Sequence, residues 1–280
     1  FRRVLFRSRD EAENLRRLLP ALLATEYAAL ELLLLDDDSV DETRAVLREF
    51  EADARVRTIE GAPPPAGWTG KNWACHQLAR AATGEVLVFC DADMRPGPRA
   101  VARTVVALER SRADALTALP RHERGGPFER AVIPLVAVVP VAALLPLPLV
   151  ARTRAVSLSV GNGQWFAWRR AAYERVGGHA RVRSAVLEDV RLARIAKRSG
   201  LRLAAYVAPR DLAVRMYRSR ADTREGFAKN LYPLVGGRPW TLAVALAVLL
   251  GAGLGPILLP VAAIGSGTGP IVLVPLAELI

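Results

Sequence analysis

In RDEAENLRRLLPALLA, residues 9–24, the apolar residues Leu15, Leu18, Leu19, Leu22 and Leu23 recur at spacings of three and four. That period predicts an amphipathic helix, and the acids near its start suit the positive end of a helix dipole. The pattern then changes to an apolar run, ALELLLL, which closes in Asp36, Asp37 and Asp38 and predicts a strand. DETRAVLREF (41–50) returns to helical spacing, VRTIE (56–60) is a short strand, and a Pro/Gly loop, GAPPPAGWTGKN, follows. WACHQLARAATG (73–84) predicts a helix ended by Gly84, and EVLVFC (85–90) a further strand. Strands and helices alternating at this interval give an α/β fold with a mainly parallel sheet and short βα loops. Apolar runs without alternation fit strands covered on both faces. The opening FRRVLFRS mixes arginine with apolar residues and reads as a poor buried strand.

Two later patterns are apolar without either period. Residues 131–150, AVIPLVAVVPVAALLPLPLV, carry no charge and four prolines, which argue against a regular spanning helix. They read as a segment packed on the domain or dipping into a membrane interface. Residues 241–265 are uncharged and long enough to span a bilayer, and PIVLVPLAELI reads as the start of a second span. Arg215, Arg218, Arg220, Arg224, Lys229 and Arg238 precede the first span, which puts that side in the cytoplasm by the positive-inside tendency. The expected layout is a catalytic domain over 1–238, with 131–150 as its interface segment, and a transmembrane region over 239–280 that is cut short. The catalytic domain would lie on the cytoplasmic side of the inner membrane.

Composition sharpens this picture only in part. Half of the 280 residues are hydrophobic (51%), mean hydropathy is +0.18 and net charge is +11. Lysine occurs only at Lys71, Lys197 and Lys229, so nearly all of the 39 basic residues are arginine. The excess fits attraction to anionic head groups or phosphates, and equally a GC-rich coding sequence. Cys75 and Cys90 have no zinc-type spacing and read as small buried apolar residues.

The candidate chemistry lies at strand ends. Ligands of open α/β sheets bind beyond the carboxyl ends of the strands, and two separate strands deliver acids there, Asp36–Asp38 and Asp91/Asp93. Carboxylates this close repel unless a cation lies between them, and Mg²⁺ or Mn²⁺, hard ions that prefer oxygen ligands, suit a DxD pair that holds a diphosphate. An extended backbone would turn Asp91 and Asp93 to one side; a turn would divide their labour between metal and sugar or ribose. A DxD by itself also reads as a solvated turn.

Taken in order, RDEAEN, LLLLDDDSVDET, GWTGKNWAC, FCDADM and LEDVRLA resemble the family 2 glycosyltransferases, which have the GT-A fold, a Rossmann-like nucleotide-sugar domain. GWTGKNWACHQ and GNGQWFAWRRAAYERVGGH look like the membrane-associated branch linked to hopanoid and carotenoid glycosylation. The resemblance covers Arg9 to the final apolar run. It implies donor binding by Arg9, Glu11, Asp36, Asp37, Lys71 and Asp91, and a metal at Asp91 and Asp93. Acceptor contacts fall to Gln164 and Trp165, with Trp168 available for stacking. In the ED pair, Asp189 would be the general base, and Glu188 would share the catalytic site by orienting acceptor or loop. Asp38 stands where the family often has glycine or asparagine, Val40 replaces the usual threonine, and VLFRS replaces an apolar strand followed by proline.

Each of these residues has a plainer reading. Asp36 and Asp37 can cap a helix starting near Ser39, Lys71 can be a surface lysine in its loop, and the tryptophans can pack the core. Glu188 and Asp189 can be helix-start acids, and His179 a loop residue near the site. The function implied is an inverting, metal-dependent transfer of a hexose from a UDP-sugar or similar donor to a hydroxyl or carboxyl of a membrane lipid, hopanoid or carotenoid-like. A polyprenyl phosphate is the alternative acceptor. A non-catalytic membrane-anchored binding protein is the competing class, and no nucleic-acid partner is expected. A sugar nucleotidyltransferase would carry a glycine-rich phosphate loop, which RDEAENL is not.

Overall fold

The computed structural model describes residues 2–27, 29–123, 147–216, 238–241, 243, 244 and 247. The first half alternates as the sequence pattern predicts: β1 (Arg2–Ser8), α1 (Ala12–Leu23), β2 (Leu30–Asp36), α2 (Thr43–Phe50), β3 (Val56–Glu60), α3 (Gly70–Ala81) and β4 (Val86–Cys90). There follow β5 (Met94–Pro96), α4 (Ala100–Arg110), β6 (Ala115–Leu119) and β7 (Arg121–His122), and later β8 (Trp165–Arg169), β9 (Leu203–Val207) and β10 (Leu212–Val214). The helix Glu188–Arg198 lies between β8 and β9.

Seven strands form one sheet in the order β3-β2-β1-β4-β8-β6-β9. All neighbours run parallel except those of β8, which is antiparallel to both β4 and β6. The order reverses between β1 and β4, and the crevice at their carboxyl ends is where an open α/β sheet binds ligands. A small second sheet, β5-β10-β7, begins directly after the DxD stretch.

Both faces of the main sheet are covered, which explains the continuous apolar runs. Val4, Phe6, Leu32, Leu34, Val86 and Val88 face one core with α1 and α4; Leu5, Leu33, Leu35, Leu87 and Phe89 face the other with α3 and the helix Glu188–Arg198. Alternate residues of one strand therefore enter two different cores.

Three expectations are corrected here. The opening residues do make a buried strand: β1 is central, paired with β2 and β4, and Val4, Leu5 and Phe6 are fully buried. Three apolar residues suffice because both flanking strands supply the remaining apolar cover. The third helix starts at Gly70, not Trp73, because Thr69 caps it by accepting the Asn72 amide at 3.3 Å, and it ends at Ala81 rather than Gly84. Lys71 thus stands in a helical turn, not a loop. The helix after Asp36–Asp38 starts at Thr43, not near Ser39.

Asp38 has φ 58°, the left-handed region that favours glycine or asparagine, and Asp10 has φ 55°. The departure at position 38 therefore keeps the required backbone shape with a residue that tolerates it. Among the described residues no helix is long and apolar enough to cross a membrane. Residues 131–146, Arg218–Lys229 and nearly all of 239–280 lie outside the described residues, so the interface and spanning segments expected there do too. Leu147–Arg152, the end of the first apolar run, is helical.

Candidate functional site

The reversal between β1 and β4 opens into a cavity of about 240 Å³. Arg7, Arg9 and Glu11 enter from the end of β1, Asp91 and Asp93 from the end of β4, and Lys71 and Cys75 from α3. Gly163, Glu188 and Asp189 close it from the second half, with His179 and Cys90 in the wall. Segments spread over the chain thus supply one basin of charge.

Lys71 stands among its acids. Its Nζ lies 2.9 Å from Glu188 Oε1 and 3.1 Å from Asp91 Oδ1. Burial works against this charge, but Asp91 and Glu188 outweigh it and hold the ammonium well above the usual lysine range. Next to it, the buried Asn72 side-chain amide donates to the carbonyls of Val182 (2.8 Å), Arg183 (3.1 Å) and Ala185 (3.0 Å). The turn carrying Lys71 is thereby fastened to the segment that leads into Glu188.

Asp189 stands in the first turn of the helix Glu188–Arg198. Its Oδ2 accepts the Gly163 amide at 2.7 Å and its Oδ1 the Val190 amide at 2.7 Å. Burial, and then the neighbouring Glu188, raise its carboxyl to about 6, above what those hydrogen bonds alone would allow. The glycines of GNGQ make this contact possible. A Cβ on Gly161 would lie 2.2 Å from the Asp189 carbonyl oxygen, and one on Gly163 3.2 Å from Lys71 Nζ and 3.5 Å from Asp189 Oδ2.

Asp91 and Asp93 flank a turn, closed by the Met94 amide donating to the Asp91 carbonyl at 3.3 Å. The two carboxylates therefore have different neighbours: Asp91 meets Lys71, while Asp93 lies beside Glu11. Burial, then Asp91 and Glu11, raise Asp93 to about 7, and its buried Oδ1 has no hydrogen-bond partner among the described residues. Among the described residues no three His, Cys, Asp or Glu side chains are grouped to enclose a metal by themselves. The donor set, two carboxylates with one orphaned oxygen, instead fits a hard divalent ion that completes its shell with a ligand's phosphates.

The Glu11 carboxylate accepts Asn14 Nδ2 at 2.6 Å. Arg95 in turn donates to Asn14 Oδ1 at 3.2 Å. His179 is buried against Tyr173, with 2.6 Å between Nδ1 and the phenol oxygen, and burial lowers it to about 3, so it stays neutral.

Other expected site residues are placed elsewhere. Asp36 faces a separate hollow between α2 and β3, bonded to Arg44 at 2.9 Å and accepting the Ser39 amide at 3.2 Å. Asp37 does not line the main cavity but pairs at 2.7 Å with Arg7, which does. Gln164 is buried; its carbonyl accepts the Asp91 amide at 3.2 Å, so it braces the DxD turn from behind. Trp165 is a correction to the expected acceptor contact. It is fully buried and its Nε1 donates to Thr104 Oγ1 at 2.9 Å, so its ring is core and offers no face to a ligand. Trp168 is equally buried, packed on Phe166 and Tyr173. Sequence reasoning missed Asn72 and gave Gly161 and Gly163 no separate role; the GKN and GNG strings that hold them were visible.

Comparison with known proteins follows the same outline. The profile of Glycosyl transferase family 2 matches residues 5–177, ending before the Glu188–Asp189 pair. The 4,4'-diaponeurosporenoate glycosyltransferase of Staphylococcus haemolyticus (strain JCSC1435) is 26% identical over 238 residues, covering 81% of this chain and 60% of that relative. The mannosyltransferase PcManGT from Pyrobaculum calidifontis, solved with GDP-Man and Mn²⁺, has a TM-score of 0.57 at 20% identity, covering 91% of this chain and 76% of its own. Glucosyl-3-phosphoglycerate synthase from Mycobacterium tuberculosis, solved with Mn²⁺, UDP and glucosyl-3-phosphoglycerate, has a TM-score of 0.53 at 19% identity, covering 87% and 78%. At those identities the likeness is one of fold.

Proposed function

The chain belongs to glycosyl transferase family 2, and from that premise we propose that it transfers a hexose from a nucleotide-diphosphate sugar, a UDP-sugar first, to a membrane lipid with inversion at the anomeric carbon. The observation that carries this reading is the convergence of Glu11, Asp91, Asp93, Lys71, Glu188 and Asp189 on one cavity at the β1/β4 reversal. Both structural relatives above were solved with Mn²⁺ and a guanosine or uridine diphosphate ligand, which supports the same donor class here.

The residues divide the work by charge. Arg9 and Lys71 face the donor's diphosphate, and Glu11 accepts hydrogen bonds from ribose or base donors. Asp91 and Asp93 would hold a divalent cation, Mg²⁺ or Mn²⁺, which when bound would neutralise charge on the departing nucleoside diphosphate. Asp189 accepts the proton of the acceptor's O–H as that oxygen bonds to the anomeric carbon. The bond from that carbon to the diphosphate oxygen breaks on the opposite side, and its electron pair leaves with the nucleotide. A carboxylate raised to about 6 is still ionised at neutral pH and a better base than an exposed one. Glu188, paired with Lys71, ties the donor's cation to the base's helix.

The acceptor reading rests on the apolar stretches 131–150 and 241–265 and on the relative that acts on 4,4'-diaponeurosporenoate. These support an isoprenoid lipid, hopanoid or carotenoid-like, and a site at the cytoplasmic face of the cell membrane. Mass spectrometry of lipids from cells with and without the intact gene tests it. A glycolipid present only with the gene identifies sugar and acceptor together, and unchanged lipids contradict the reading.

A further inference from the structure

We propose that Lys71 is an internal counter-ion that competes with a divalent cation for Asp91 and passes to the donor's diphosphate, so that cation and nucleotide bind this protein cooperatively. This rests on the donor-site reading above and adds how its charges are exchanged.

Lys71 stands in the first turn of α3, where the helix dipole disfavours a cation. It is held there by Asp91 at 3.1 Å and Glu188 at 2.9 Å, which reach it from separate elements. The second Asp91 oxygen is 3.4 Å away, so the ammonium spans both oxygens of the carboxylate that a metal would use. About a third of the Lys71 side chain is exposed (36%), and the residue lines the cavity. Gly163, where a Cβ would lie 3.2 Å from Lys71 Nζ, adds no side chain to crowd it. An ammonium on a flexible four-carbon stem can change partners within such a space, which a planar guanidinium does less readily.

A divalent ion at Asp91 and Asp93 and the Lys71 ammonium carry like charge and claim the same carboxylate. Binding of the ion alone must displace Lys71 from Asp91 or accept its repulsion. A diphosphate changes the balance, because it gives Lys71 a new anionic partner while Glu188 keeps hold of it. Each ligand then favours the other by the same factor, as linkage requires.

The test is Mn²⁺ binding to the full chain in detergent, read from the spin-resonance signal of free Mn²⁺, without and with UDP and corrected for Mn–UDP complex in buffer. In the unsubstituted protein UDP should tighten Mn²⁺ binding by about tenfold or more. Lys71→Met should bind Mn²⁺ alone about tenfold more tightly than the unsubstituted protein, and UDP should tighten that binding by a smaller factor than it does in the unsubstituted protein. Lys71→Arg, which keeps the charge, should stay within about threefold of the original Mn²⁺ affinity. A Lys71→Met protein that melts cooperatively yet binds Mn²⁺ no more tightly would overturn the proposal. An unsubstituted protein that binds neither Mn²⁺ nor UDP would instead overturn the donor-site reading itself.

Discussion

Lys71 and Glu188 meet at 2.9 Å across the cavity, joining α3 of the first half to the helix that carries Asp189. Asn72 fastens the same two regions through three backbone carbonyls. Lys71 and the proposed base, Asp189, are therefore held in one frame, and the consequences can be measured residue by residue.

The first concerns pH. Asp189 must be ionised to accept a proton, and burial with Glu188 raises it to about 6. Turnover should rise about tenfold for each pH unit below 6 and level off above about 7. The sign for stability is opposite: the fold favours the protonated carboxyl, so this group's contribution falls as pH climbs from its ordinary value of 3.8 to about 6. Asp189→Asn does not titrate but cannot accept both the Gly163 and Val190 amides, so its melting temperature relative to the original should carry a constant loss and be about 1–4 °C more favourable at pH 8 than at pH 4. Calorimetry at the two pH values checks this.

Metal removal is the second. EDTA should reduce turnover by at least about a hundredfold, and Mn²⁺ or Mg²⁺ should restore it. Asp93→Asn should raise the Mn²⁺ concentration for half-maximal turnover by about tenfold or more, because it removes a charged oxygen ligand. A kinetic titration with Mn²⁺ measures that shift.

Gly161 is the third. Alanine there would place its Cβ 2.2 Å from the Asp189 carbonyl, a backbone group that cannot swing aside. Gly161→Ala should cost about 2–4 kcal/mol of stability and lower turnover in the protein that remains folded. Chemical denaturation and turnover of the same preparation separate the two effects.

The fourth distinguishes core from acceptor contact. Trp165→Phe loses the hydrogen bond to Thr104 and some buried volume, at about 1–3 kcal/mol. Its KM for the lipid acceptor should stay within about twofold, since the ring does not reach the cavity. A large rise in acceptor KM at unchanged stability would contradict the buried placement.

Much of this was legible in the sequence, and the exceptions have physical causes. The strands β2, β3 and β4 followed from apolar runs, and the carboxyl-end acids from where those runs stop. β1 was not legible, because its own composition is basic and its burial comes from strands on both sides. The Pro/Gly stretch before Lys71 hides its helical setting, because Thr69 caps a helix that starts at Gly70. Trp165 looked like a stacking residue by type alone; only the third dimension shows Thr104 behind it. The Asp189–Gly163 bond links residues 26 apart, and no local pattern reports such a contact.

The most direct test is donor turnover by the full chain with Mn²⁺ and a UDP-hexose, comparing the original protein with Asp189→Asn. Turnover should fall by about 10²–10⁴-fold in the variant while UDP binding is kept. Equal turnover by both proteins would remove Asp189 from the base role and contradict the convergence of donor and acceptor chemistry on this cavity.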